Sequence, residues 1–161
     1  MDAYFDKQEH KDALKAELKR WKGTRFRYNM AGKASPLIGA DCISFPISLY
    51  KNIGLIPADY QTPPYISVRS GKHELYKIYS GMDAMQGLYK IWESEKTGFV
   101  KENFMFGDLL VCSSGLAVHH CIVITENGYG IHCWPDQGVA KIYLGLVKVT
   151  KFARRVYRWY E

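Results

Sequence analysis

Val118-His-His-Cys-Ile-Val-Ile-Thr-Glu-Asn-Gly-Tyr-Gly-Ile-His-Cys133 is a pair of apolar, β-rich runs on either side of an Asn-Gly turn. Valine and isoleucine suit a half-buried pleated surface, and Asn-Gly is the strongest short-range hairpin signal, so the stretch reads as a β-hairpin. One histidine stands near the start of the first run and another near the end of the second, so folding the hairpin brings His120 and His132 together. Two imidazoles placed side by side need a chemical reason. Cys42, far upstream, supplies one: a thiol nucleophile, a histidine base and a second histidine that orients the base.

His119 and His120 are adjacent, so a strand turns them to opposite faces. The hairpin register decides which of them meets His132. If Asn127-Gly128 is a two-residue turn, Glu126 pairs with Tyr129 and His132 shares a face with Cys121 and His119. If Glu126-Asn127-Gly128 is a three-residue loop with Gly128 left-handed, Thr125 pairs with Tyr129 and His132 shares a face with His120. Turn chemistry leans to the first register. The residues by themselves leave both open.

Working outward, the strand period begins at Gly107. Asp108–Cys112 is one strand, the hairpin follows, then Gly138–Tyr143 and finally Val156–Tyr160. Upstream the period is helical. Residues 6–22 form an amphipathic helix with Leu14, Leu18 and Trp21 on one face, Asp6 and Glu9 in a capping-box spacing, and Gly23 as the stop. A loop rich in Asn29, Gly32, Ser35 and Pro36 leads to Gly39, with Phe26 and Tyr28 flanking Arg27. A second helix runs from Asp41, a good N-cap residue, to Asn52-Ile-Gly54.

This places Cys42 at the first helical position, where free N–H groups and the helix dipole favour a thiolate. Simple packing is the commoner use of a cysteine at such a place. Pro46 brings no N–H for the Cys42 carbonyl and loosens the first turn. An extended connector over Leu55–Ser70 carries Tyr60 and Tyr65. Short helices are expected near 72–79 and 83–95, with Leu75, Ile78, Leu88, Ile91 and Trp92 as apolar faces and Met82 and Met85 as core fillers. Helices first and strands afterwards give an α+β class, N-terminal helices packed on an antiparallel meander.

With 161 residues, 47% of them hydrophobic, the chain reads as one domain, residues 1–161, with a core that needs no staples. The four cysteines form no C-x-x-C pair, and a disulfide framework is not expected. The charged N-terminus lacks an apolar signal core and no window resembles a membrane span, so the expected site of synthesis is a reducing cytoplasm. The net charge of +6 suits an anionic partner. The basic residues are scattered, however, and no nucleic-acid motif accompanies them, so no specific nucleic acid is expected.

The order Gly39-Ala-Asp-Cys42, Gly107-Asp-Leu-Leu110, His120, Ile131-His132 and Gly138-Val139 resembles the NlpC family of cell-wall cysteine peptidases, which has a papain-like fold. Trp21-Lys-Gly-Thr24, Pro63-Pro-Tyr65 and Arg154-Arg-Val-Tyr-Arg-Trp159 extend the resemblance, and it is nearest to the phage-tail and gene-transfer-agent branch. It implies Cys42 as nucleophile, His120 as base and His132, twelve positions on, as the orienting residue. It also implies a peptidoglycan stem peptide as substrate, cleaved at a γ-D-glutamyl–diamino acid bond, no cofactor, and possible partners among phage-tail proteins. Asp41, Tyr28, Tyr65 and His119 are the residues expected at the substrate. The chain departs from the family at Asp41-Cys-Ile-Ser-Phe45, where Asp-Cys-Ser-Gly-Phe is usual, and at Phe26, where a tyrosine is.

Three other readings stand beside this one. The fold serves other acyl transfers, such as amide hydrolysis or transfer on a non-wall substrate. The density of His119, His120, Cys121, His132 and Cys133 suggests a metal site, although adjacent strand residues do not all converge on one ion. A weakly catalytic structural piece of a phage tail is the third.

Overall fold

Alternating apolar residues in the second half of the chain build a six-stranded antiparallel sheet, with β1 at Leu88–Glu93, β2 at Leu109–Ser114, β3 at Ala117–Ile124, β4 at Tyr129–Trp134, β5 at Gly138–Tyr143 and β6 at Ala153–Trp159. Their order is β1-β6-β2-β3-β4-β5, so β2 to β5 form the expected meander and β6 returns to lie beside β2. The computed structural model of the chain describes residues 1–63, 80–94, 104–114, 117–126, 128–145 and 153–161. The helix expected near 72–79 lies outside them. Among the described residues no helix is long and apolar enough to cross a membrane.

The first helix, α1, spans Gln8–Trp21 and follows a 3₁₀ turn at Tyr4–Asp6. That turn draws Asp6 into its own hydrogen bond to the Ala3 carbonyl, so Lys7 becomes the cap without a side-chain bond and the Asp6–Glu9 capping box does not form. Leu14 and Trp21 are buried as the helical period requires. Glu17 is buried with them, accepting hydrogen bonds from Trp21 Nε1 at 2.9 Å and Asn52 Nδ2 at 2.7 Å, which ties α1 to the end of the second helix. That second helix, α2, spans Ser44–Asn52 and stops before Gly54, whose φ of +83° suits a glycine.

Within the segment expected as a helix over 83–95, Leu88–Glu93 is instead the edge strand β1. A helical turn at 80–83 ends, and Gly87 at φ +83° redirects the chain. Leu88 then pairs with Trp159, and a bulge between Lys90 and Trp92 carries the ladder to Glu93–Arg155. The spacing of Leu88, Ile91 and Trp92 fits a helix, yet the bulge lets the same spacing run along a strand. The open edge of β6 offers hydrogen bonds that a short, partly exposed helix lacks. Met82 is buried and Met85 packs partly against the core, as expected of fillers.

Alternation along the strands sorts the core into two clusters. Leu109, Val111, Cys121, Val123, Cys133, Tyr157 and Trp159 join the helix residues Trp21, Phe45, Leu49 and Tyr50, while Leu110, Cys112, Ile122, Ile124, Leu144 and Val156 form a second cluster. The helix layer is locked on by the Tyr50 hydroxyl, which donates to the Gly107 carbonyl at 2.9 Å, and by edge-to-face contacts of Trp21 with Phe45 and Tyr50 with Trp159. This is an α+β, papain-like arrangement: helices against an antiparallel sheet.

Candidate active site

The hairpin adopts the three-residue register. Val123 pairs with Ile131 and Ile124 with Gly130, and the Thr125 N–H donates to the Tyr129 carbonyl at 2.8 Å. The lean of turn chemistry toward a two-residue turn is therefore corrected. Gly128 takes φ +74°, and its carbonyl accepts the Leu144 N–H at 2.9 Å, so the end of β5 holds the loop in its longer form.

This register carries His120 to His132. Their rings meet with His120 Nε2 and His132 Nδ1 2.7 Å apart in one hydrogen bond, the planes inclined at 71°. The paired backbone positions of β3 and β4 stop at Val123–Ile131, whereas β4 stays paired to β5 as far as Trp134–Gly138. The two strands thus part toward this end, and the imidazoles bridge the gap. Among the described residues, His120 Nδ1 and His132 Nε2 are buried without hydrogen-bond partners.

Cys42 comes from the other layer and lies against Cys121 and Cys133, the chain neighbours of the two histidines. Asp41 caps α2 reciprocally: its Oδ1 accepts the Ser44 N–H at 2.8 Å while Ser44 Oγ accepts the Asp41 N–H at 2.9 Å. The Asp41 carboxylate also accepts the N–H groups of Ile43 at 3.0 Å and Met30 at 2.9 Å. Pro46 offers no N–H to the Cys42 carbonyl, and the regular helix begins only at Ser44. Ahead of Cys42, Ala40 bridges Phe26 in parallel and its carbonyl accepts the Cys133 thiol at 3.2 Å. Cys42, half-buried, is held between this bridge and the strands that carry the histidines.

The electrostatics correct one expectation. Burial pushes the Cys42 thiol up, the Asp41 carboxylate and then Cys133 add to the rise, and the N–H groups of Cys42 and Cys121 only partly offset it. Cys42 precedes the regular helix and is largely desolvated, so the helix-head effect does not prevail and the resting group is a thiol. The Cys121 amide acts on that sulfur, which puts the sulfur against β3 one residue beyond His120. Burial, reinforced by His132, lowers His120 to about 3. His132 is lowered by burial as well; Gln137 approaches it closely enough to offset part of the effect without a bond of hydrogen-bond geometry. The thiol and the two imidazoles thus all rest neutral near pH 7.

Of the residues expected at a substrate, Asp41 is 0% exposed and lies beneath the cysteine, its carboxylate engaged by backbone N–H groups. Tyr28 is 51% exposed and makes an edge-to-face contact with Phe26 at 4.8 Å. Tyr65 lies outside the described residues. The backbone of His119 pairs with Ser113, and its side chain is not among those described. Among the described residues no three His, Cys, Asp or Glu side chains are grouped to hold a metal ion.

Trp134 was not singled out from the sequence, yet its half-exposed indole lies 4.9 Å from the His120 ring and 6.0 Å from the His132 ring. The signal was present: in His132-Cys-Trp134, strand alternation puts the tryptophan on the same face as the histidine.

No family model matches the chain, and no curated protein matches it. Solved structures do. An NlpC/P60 family protein from Bacillus cereus is 18% identical with a TM-score of 0.55, over 91% of this chain and 39% of that one. A lipoprotein-like NLP/P60 family protein from Staphylococcus aureus is 15% identical with a TM-score of 0.59, over 96% of this chain and 43% of that one. The NlpC/p60 domain of the peptidoglycan hydrolase SagA is 17% identical with a TM-score of 0.52, over 89% of this chain and 97% of that domain. The chain thus has the fold of NlpC/P60 proteins and spans about two fifths of the length of the first two.

Proposed function

We propose that this chain is a cysteine hydrolase of the NlpC/P60 type that cuts an amide bond in peptidoglycan stem peptides, with residues 1–161 acting as one catalytic unit. The observation that supports the reading is the His120–His132 hydrogen bond, set in the parted end of β3 and β4, with Cys42 at the head of α2 against Cys121 and Cys133. A hydrogen bond between imidazoles fixes the tautomer of each, which suits a base that takes and returns a proton at one nitrogen. The likeness to the domain of a peptidoglycan hydrolase supports the substrate class, and the net charge of +6 suits an anionic wall.

In this mechanism His120 is the donor of the inter-imidazole bond: His132 Nδ1 accepts its Nε2 proton, and Nδ1 of His120 is the base. That nitrogen takes the Cys42 proton as the sulfur attacks the carbonyl carbon. Because the thiol is raised and the imidazole lowered, transfer accompanies attack and no preformed ion pair is needed. The carbonyl oxygen gathers negative charge, which the Cys42 N–H stabilises. His120 returns the proton to the departing amine, and water cleaves the thioester with His120 as base again. The bond we assign is γ-D-glutamyl–diamino acid, and the resemblance to phage-tail relatives makes a tail, acting on a host wall, the setting we favour.

The test is mass spectrometry of defined wall fragments incubated with the wild-type chain and with Cys42→Ala, His120→Ala and His132→Ala. The expected result is a new amine at the diamino acid, abolished by the first two changes and reduced by the third. Cleavage that persists in folded Cys42→Ala refutes the nucleophile, and turnover only of non-wall amides refutes the substrate class.

A further inference from the structure

A half-exposed tryptophan at the end of a strand is usually explained by core packing beneath it. The ring neighbours of Trp134 are instead the two site imidazoles. Its indole is nearly parallel to His132, at 11°, and nearly perpendicular to His120, at 82°, with 44% of the residue open to solvent. The three rings form a closed triangle with centroid separations of 4.8, 4.9 and 6.0 Å. Its backbone is fixed independently of the histidines. Trp134 pairs with Gly138, whose φ of +66° lets the chain press against the Thr24 carbonyl, and that carbonyl accepts the Val139 N–H at 2.8 Å.

β3 and β4 have already parted here, so side chains rather than a backbone ladder set the two imidazoles relative to each other. A hydrogen bond between rings resists sliding but only weakly resists rotation about its own axis. A third ring, perpendicular to His120 and rooted where β4 pairs with β5, supplies that resistance and shuts water away from the bond.

We propose that Trp134 is a positioning residue, its indole covering the His120–His132 hydrogen bond and fixing the plane of the His120 ring. For catalysis this rests on the hydrolase reading above; for the geometry of the resting site it does not. Among the described residues, the groups that bear on the titration of the pair are His132 on His120 and the uncharged Gln137 on His132. No cation is among them, so changes in histidine titration report on water access and ring placement.

The test uses the full chain with Trp134→Leu and Trp134→Phe. In ¹⁵N spectra of the imidazoles, His120 in the wild type should hold one tautomer and stay neutral well below pH 6.5. Trp134→Leu should mix the tautomers and move the titration up toward the ordinary 6.5. Trp134→Phe, which keeps a ring, should restore both. With substrate, Trp134→Leu should lower kcat roughly ten- to hundred-fold with KM within about twofold, as misorientation of a base predicts, and raise the acid limb of the rate profile. A folded Trp134→Leu with wild-type tautomer and titration overturns the proposal. So does the absence, in the unsubstituted protein, of nuclear Overhauser contacts between the indole and both imidazoles. These spectra need no turnover, so they decide the role of Trp134 even if the wild type proves inactive on wall fragments.

Discussion

Replacing Asp41 tests how the cysteine is held. The side chain is fully buried, and its two oxygens accept three backbone N–H bonds, Oδ1 from Ile43 and Ser44 and Oδ2 from Met30. Asp41→Ala strands all three donors. Leaving a buried donor unmade costs about 1–3 kcal/mol, so the loss for three should be about 3–9 kcal/mol, with the lower end reached if water enters the space. Asp41→Asn can keep the oxygen that serves Ile43 and Ser44, but it sets an amide N–H₂ against the Met30 N–H, and the loss should be about 1–3 kcal/mol.

Urea unfolding at constant pH measures both, and amide exchange locates them. In Asp41→Asn only Met30 should lose protection, whereas in Asp41→Ala all three amides should. Two variants within about 0.5 kcal/mol of wild type, or of equal cost to each other, would refute the assignment of oxygens to donors.

The imidazole pair makes stability fall in mild acid. Both histidines are lowered in the folded state, His120 to about 3, so below pH 6.5 the unfolded chain binds more protons and stability drops as pH falls, by at most about 1.4 kcal/mol per pH unit for each histidine. Urea midpoints between pH 7.5 and 5.5 should show this, and His120→Gln should flatten the slope. Iodoacetamide should label half-buried Cys42 before the buried Cys112, Cys121 and Cys133, yet more slowly than a free thiol at pH 7.5, with the rate still rising above pH 9. Gly138→Ala should cost about 3 kcal/mol or more, because φ is +66° and a Cβ would sit 2.1 Å from the Thr24 carbonyl oxygen. The same change should free the loop after α1 and raise exchange at Val139.

The strands from Leu109 onward and the helix cores were legible because their apolar residues keep one period throughout. Leu88–Glu93 was not: three apolar residues at helical spacing become a strand only through a bulge and a vacant edge on β6, and that edge exists only once the C-terminus has folded back. The hairpin register was ambiguous for a related reason. Asn-Gly speaks for the short turn, and the bond that selects the longer one comes from Leu144, outside the hairpin. The cysteine's protonation was misjudged because sequence shows a helix head but not burial against Cys121 and Cys133. Asp41 reads as a cap, and it is one, but the third bond, to Met30 across the loop, is a tertiary event.

The three residues between Thr125 and Tyr129 have a consequence beyond the turn itself. Strands repeat every second residue, so a slip of the pairing by one, to the two-residue turn at Asn127-Gly128, would rotate every side chain of one strand to the opposite side of the sheet relative to the other. His132 would then turn from His120 toward the side now taken by Cys133, and both buried layers would be disturbed together. The bond from the Leu144 N–H to the Gly128 carbonyl therefore guards the imidazoles as well as the turn, since of the two registers it holds the one that faces His132 toward His120.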